Sequence, residues 1–318
     1  MHDNADRAGG RNLARSIQDK GVVLALVLLV VALSIASPQF RTFDNFLSLL
    51  RQSAVNGLIA FGMTCVILTG GIDLSVGSVL ALTAALAASF IKGGMSAGLA
   101  MLAALLIGGV FGAISGMLVT RGRLQPFIAT LITMTVFRGL TMVYTDGKPV
   151  SGLGDSVLIN SIGKGVVLRI PVPAILFLVL FAVFWFVLGK TTFGRRVYAT
   201  GSNAVSAKLS GVNTGNTKLF VYIISGVMSA LAGLILISRL NSAQPTLGQG
   251  YELDAIAAVA LGGTSMNGGR GRITGTFIGV LIIAVLSNGL NIVGVSSYYQ
   301  QVVKGIVILI AVLSDRKR

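Results

Sequence analysis

Residues 68–78 read Leu68-Thr69-Gly70-Gly71-Ile72-Asp73-Leu74-Ser75-Val76-Gly77-Ser78, a polar, glycine-punctuated break between two apolar runs. Upstream lies Gly57–Leu68 and downstream Val79–Phe90; each alone is short for a bilayer, which asks for about 20 residues. An aspartate at the centre of a lipid-embedded helix costs about 2.5–3.5 kcal/mol on insertion scales, so Asp73 is expected to face protein or water. Gly70, Gly71 and Gly77 allow bends and close backbone approach. Non-helical backbone at membrane depth is tolerated only against protein or a water-filled cavity. Two readings fit the stretch. One is a broken helix or hairpin beside a transport pathway. The other is a cytoplasmic turn between two spans, with Asp73 capping the second helix.

Composition makes the membrane the right solvent to consider. Of 318 residues, 54% are hydrophobic and 11% charged, against about 25% charged in soluble domains. The 41 glycines suit close helix packing in lipid. A net charge of +15 would suggest nucleic acid in a soluble protein; here the cations flank apolar runs, which reads as topology, and no nucleic-acid partner is expected. The one cysteine, Cys65, lies in an apolar run and is expected to be buried, and the one histidine, His2, leaves no His-based metal site or catalytic triad.

Ten apolar segments recur, at about 21–36, 52–69, 75–91, 97–120, 125–144, 171–188, 217–238, 253–263, 273–293 and 298–314. The first follows Arg7, Arg11, Arg15 and Lys20 and ends at Ser34-Ile35-Ala36, which fits either a signal peptide or a first uncleaved span; continued spans favour the latter. Residues 39–50 carry a stripe of Phe40, Phe43, Phe46, Leu47, Leu49 and Leu50 suited to an interfacial helix. Segment 253–263 is short and reads as re-entrant or extended through polar flanks. With the N-terminus inside, 16 of the 25 Lys and Arg fall on the inner side, seven outside, and Arg138 and Lys304 within spans. That inside excess puts both termini in the cytoplasm. The division is a tail at 1–20, one transmembrane unit at 21–315 and a tail at 316–318. An outer loop at about 145–170 is placed to lid a pathway or meet an external partner.

The inner loop at 189–216 is the longest cytoplasmic connection. Ser202 or Asn203 can cap a short helix and Gly211 can end it. A two-turn helix is marginal alone, so it either docks into a groove on a soluble partner or serves as a surface connector.

The chain resembles the permease subunits of bacterial sugar ABC importers, and among them the ribose permeases. The resemblance is carried by Gly62-Met63-Thr64, the break at 68–78, Phe127-Ile128-Ala129-Thr130-Leu131, Arg138-Gly139, Leu240 to Thr246, Gly250 to Ala258, Leu261-Gly262-Gly263-Thr264-Ser265, Gly269-Arg270-Gly271-Arg272, Asn288-Gly289-Leu290-Asn291 and Ser296 to Gln300. It runs over about 37–315. It implies an all-α polytopic inner-membrane protein with the ABC importer permease fold and about ten transmembrane helices. It implies a homodimer with a central path, an ABC ATPase docked below that binds ATP and Mg, and a periplasmic sugar-binding protein above. The cargo it implies is ribose or a similar pentose, and no cofactor is held by this chain. Residues 201–212 resemble the family's coupling helix, which assigns Gly201, Asn203, Ala204, Ala207, Lys208, Leu209 and Gly211 to ATPase coupling. Ala204 stands where an acidic residue is common, Val205 and Ser206 where paired alanines are common, and Gly70 where serine is common.

Inside the spans, Asn288 and Asn291 are three apart and share a helix face. With Ser287 and Asn241 they offer the mixed donors and acceptors that sugar hydroxyls need; the same groups also serve as interhelical ties, at about 0.6 kcal/mol each. Asp73, Ser75, Asn241, Asn288 and Asn291 are therefore the candidate path residues. Lys304 is expected to snorkel outward and Arg138 to pair with Asp146. Glu252 and Asp254, read as standing near an outer-side helix start, complement its dipole and lack the neighbours of a catalytic pair. The run Gly262 to Arg272 lacks the Gly-Lys-Ser/Thr end of a phosphate loop and reads as an inner turn anchored by Arg270 and Arg272. An ion-coupled secondary transporter of a small polar solute is the alternative, with Asp73 as its titrating group; a passive channel is a third.

Overall fold

A computed structural model describes residues 21–154 and 156–316; the N-terminal tail and the last two residues lie outside them. Thirteen α-helices make up most of what is described, with two short β-ribbons at one end. Each of the ten apolar segments is a helix or the body of one. They are α1 (Gly21–Ala36), α2 (Phe43–Leu68), α3 (Val76–Lys92), α4 (Ala97–Thr120), α5 (Pro126–Thr145), α7 (Val172–Lys190), α10 (Thr214–Leu240), α11 (Tyr251–Leu261), α12 (Ile273–Ile292) and α13 (Ser297–Arg316). The others are α6 (Val157–Lys164), α8 (Thr192–Ser202) and α9 (Ala204–Leu209). Six of the thirteen, α2, α4, α5, α7, α10 and α12, are long and apolar enough to cross a membrane.

Residues 39–50 do not form an interfacial helix. Pro38–Arg41 make one 3-10 turn, Thr42 caps the next helix by accepting the Asn45 N–H, and α2 then runs unbroken for 26 residues. The flank upstream of the break is thus about 39 Å long and crosses by itself. The polar residues Asp44, Asn45, Arg51 and Gln52 hid this continuity from a hydropathy reading.

Packing puts α2 and α10 at the centre, with 83% and 72% of their apolar stretches buried, against 22% for α4. The tightest pair is α4 against α10. Ala100, Ala104, Gly108, Gly112 and Gly116 recur every four residues and all are buried, making one small-residue stripe that lets backbones touch. A Cβ on Gly112 would collide with the Tyr222 carbonyl oxygen, and one on Gly226 with that of Gly108. On the other side Phe61, Phe177 and Phe277 stack at 5.3 and 5.0 Å between ring centres, joining α2, α7 and α12.

At the end that the cation count reads as outer, Val150–Ser151 pair antiparallel with Ser242–Ala243, and a small ribbon joins Val166–Val167 to Ile170–Pro171. Helix α6 lies over the end of α10, where the Ser238 hydroxyl donates to the Ile159 carbonyl and accepts the Gly163 N–H at 2.9 Å. The outer loop is therefore a built cap rather than a loose hydrophilic connection.

Two expected side-chain roles are corrected. Arg138 does not pair with Asp146, whose partner is Lys148 at 2.7 Å; it donates instead to the carbonyls of Pro245 (3.0 Å) and Leu247 (2.8 Å). Lys304 does not snorkel but pairs with Asp254 at 2.8 Å, tying α13 to α11. Cys65 is buried, as expected.

Candidate functional site

The break at 68–78 climbs back into the bundle. Leu68 ends α2 at the side opposite the ribbons, the one the cation count reads as inner, where its carbonyl accepts the Gly269 N–H at 2.9 Å. From there the chain ascends alongside α10: the Tyr222 hydroxyl donates to the Ile72 carbonyl at 3.2 Å, the Ser225 hydroxyl to Asp73 at 2.7 Å, and the Leu80 carbonyl faces Gly233. Ser225 is the twelfth residue of α10, about 17 Å from that helix's inner end. Helix α3 therefore starts near mid-depth, and its 17 residues reach outward about 25 Å.

Asp73 is 1% exposed. One oxygen accepts the Ser75 N–H at 3.0 Å and the Ser75 hydroxyl at 2.6 Å; the other accepts from Ser225. The carboxylate thus closes a turn just before α3 while lying inside the bundle; Ser75, the N-cap of that helix, makes no side-chain capping bond. Hydroxyls extend the cluster: Ser75 Oγ lies 3.4 Å from Ser115 Oγ, which lies 3.0 Å from Thr133 Oγ1, and Thr130 donates to the Ile72 carbonyl at 3.2 Å. A buried polar group in lipid is stable only when so satisfied.

A second interruption mirrors the first. After α10, Asn241 takes a left-handed turn at φ +52° and stays exposed at the outer side. Residues 244–250 then descend. Arg138, which holds the Pro245 and Leu247 carbonyls, is seven residues short of the end of α5, or about 10 Å below it. Gly248, at φ +75°, packs backbone to backbone on Gly77, the second residue of α3. Helix α11 then starts inside the bundle, not at its outer surface, and its 11 residues cover about 16 Å, half a bilayer core. The first residues of α3 and α11 meet at this glycine contact. Glu252 stands against it: its Oε1 accepts the Gly250 N–H at 3.2 Å, and its Oε2 lies 2.7 Å from where a Gly77 Cβ would be.

The candidate path residues do not gather at one point. Asp73 and Ser75 lie together near mid-depth, whereas Asn241, Asn288 and Asn291 belong to the outer ends of α10 and α12. Asn288 donates to Asn45 on α2 at 2.8 Å, not to Asn241, and Asn291 accepts from Gln300 at 3.1 Å. The Asn288 carbonyl oxygen and the Ser287 hydroxyl are buried without partners among the described residues. Sequence reasoning passed over Gln244, Thr246 and Gln249 because 241–250 read as an outer connection. The signal was Pro245, Gly248 and Gly250 within a run that ends at an 11-residue helix too short to cross.

At the inner side, Thr191 caps α8 and Asn203 caps α9, the latter by accepting the Ser206 N–H at 2.9 Å. Gly211 follows α9 at φ +82°, so the short helix lies where its caps put it; the preceding helix α8 was not expected. Val205 and Leu209, 71% and 85% exposed, share a face with Ala204 and Lys208, while Ala207 is turned inward. A Cβ on Gly201 would strike the Leu68 carbonyl, and the Tyr198 hydroxyl donates to the Gly271 carbonyl at 3.0 Å. Backbone contacts of Gly269 and Gly271 hold the turn at 262–272 against α8 and the end of α2. Among the described residues no cluster of His, Cys, Asp and Glu is suited to a metal ion.

Comparison with known proteins places this architecture. Residues 45–312 match the family described as branched-chain amino acid transport system / permease component. The chain belongs to this permease family. The permease is 59% identical to the ribose import permease protein RbsC of Bacillus subtilis (strain 168) over 302 residues, 95% of this chain and 94% of that one. It is 53% identical to the protein of that name from Haemophilus influenzae, over 95% and 94% of the two chains. It is 42% identical to the D-allose transport system permease protein AlsC of Escherichia coli (strain K12), over 93% and 91%. No solved structure matches. The resemblance drawn from the sequence is borne out, and the permease is an all-α, multi-pass membrane protein.

Proposed function

We propose that this permease is the membrane-spanning subunit of an ATP-driven importer that carries ribose, or a pentose like it, across the bacterial inner membrane. The observation that carries the reading is identity graded by cargo. Permeases named for ribose import reach 50–59% across nearly the whole chain, and the one named for D-allose stands at 42%. Two copies assemble around a central path, within membrane lipid and with both termini of each copy in the cytoplasm. A soluble ABC ATPase, which holds the ATP and Mg, docks on the inner loop through Gly201, Asn203, Ala204, Ala207, Lys208, Leu209 and Gly211; the exposed Val205–Leu209 face supports this. A periplasmic sugar-binding protein docks on the cap built from α6 and the ribbons. Asp73, Ser75, Asn241, Asn288 and Asn291 serve the path at successive depths. The chain itself makes and breaks no covalent bond.

The cargo is tested by competition. Membranes carrying the complete importer are given labelled D-ribose with excess unlabelled ribose, allose or leucine. Ribose is expected to compete fully, allose weakly and leucine not at all. Uptake of labelled leucine by the same membranes, with none of labelled ribose, would overturn the assignment in favour of the amino-acid cargo in the family's description.

A further inference from the structure

Segment 244–250 places polar side chains where lipid tolerates none. Its backbone is non-helical, and it is held about 10 Å below the outer end of α5 by Arg138 and against the mid-depth start of α3 by Gly248. Gln244, Thr246 and Gln249 alternate with buried Pro245 and Gly248 and all three face out of the chain. Their side chains make no hydrogen bond among the described residues, and Glu252 holds the Gly250 N–H through Oε1. Irregular backbone and free amides at this depth require either water or other protein beside them.

Resting on the proposed function, we infer that Gln244, Thr246, Gln249 and Glu252, positioned by Arg138, form a subsite for a neutral polyhydroxyl ligand, the transported sugar, on the translocation path. The chemistry fits a sugar better than an ion. Two amides and a hydroxyl offer both donors and acceptors, and a carboxylate accepts from adjacent hydroxyls. Arg138 is within electrostatic range of Glu252 and offsets part of its charge. Arg138 donates from one nitrogen, Nη1, to both backbone carbonyls and acts as a positioning residue. The sequence-based candidates Asn241, Asn288 and Asn291 lie above this point.

The test uses the complete importer in proteoliposomes, with D-ribose as the probe. The only native thiol, Cys65, is buried, so Thr246→Cys and Gln249→Cys each supply one reactive thiol. Both are expected to react with a membrane-impermeant methanethiosulfonate, and ribose, but not leucine, is expected to slow the reaction severalfold. In a parallel arm, Gln249→Ala and Glu252→Gln are expected to raise the KM for ribose by up to about tenfold, one hydrogen bond's worth, with kcat little changed. Two results would each overturn the subsite. One is spontaneous disulfide formation between copies without ribose protection, which marks an interface. The other is absence of labelling. A wild-type complex that imports no ribose would instead strike the proposed function.

Discussion

Asp73 takes three hydrogen bonds from two serines on two elements, so its loss is felt at both. Replacing Ser225 by Ala removes one donor and is expected to cost about 0.6 kcal/mol. Asp73→Asn keeps shape but cannot accept all three bonds, and is expected to lower the melting temperature of the solubilised protein by several degrees. A double-mutant cycle on the two should give a coupling of about 0.5–1 kcal/mol; additive effects would mean the two do not act together. The pair Asp254–Lys304 follows a different logic, because both partners are charged and largely withdrawn from solvent. Lys304→Met alone is expected to destabilise by about 3 kcal/mol or more by stranding a carboxylate, whereas Lys304→Met with Asp254→Leu should recover most of that. Thermal melts in detergent decide, and equal losses for single and double variants would contradict the pairing.

At the scale of elements, the inner loop is set by two local signals, Asn203 and Gly211. Asn203→Ala is expected to cost about 1 kcal/mol of local stability, read by faster amide exchange in α9. Leu209→Asp leaves the bundle untouched and should weaken co-purification with the ATPase at least tenfold; unchanged capture would refute docking through this face. What was legible here, and what was not, follows from the range of each signal. The ends of α9 and the break after Leu68 are written in neighbouring caps and glycines, so both could be read directly. The start of α2 is capped by Thr42 and tied through Asn45 to Asn288 on α12, partners that hydropathy does not register. The descent of 244–250 depends on Arg138, more than a hundred residues away in sequence, and no local pattern names that partner. The small-residue stripe on α4 was readable, since Gly108, Gly112 and Gly116 repeat every four residues. Gly112→Val should therefore abolish assembly, the Tyr222 carbonyl having no room to retreat.

For the molecule as a whole, two interrupted elements, 69–75 and 244–250, meet inside a bundle whose outer end is capped and whose inner end presents a short exposed helix. Near mid-depth the Asp73 carboxylate is satisfied by Ser75 and Ser225, and Asp254 pairs with Lys304. The proposed importer is driven through the surface that carries α9. The most direct test is accumulation of labelled D-ribose against its gradient in proteoliposomes, with the ATPase, ATP or an ion gradient supplied or withheld in turn. Accumulation is expected only when the ATPase, the sugar-binding protein and ATP are all present, and an ion gradient should substitute for none of them. Uphill ribose uptake by this chain alone, powered by a proton or sodium gradient, would contradict it.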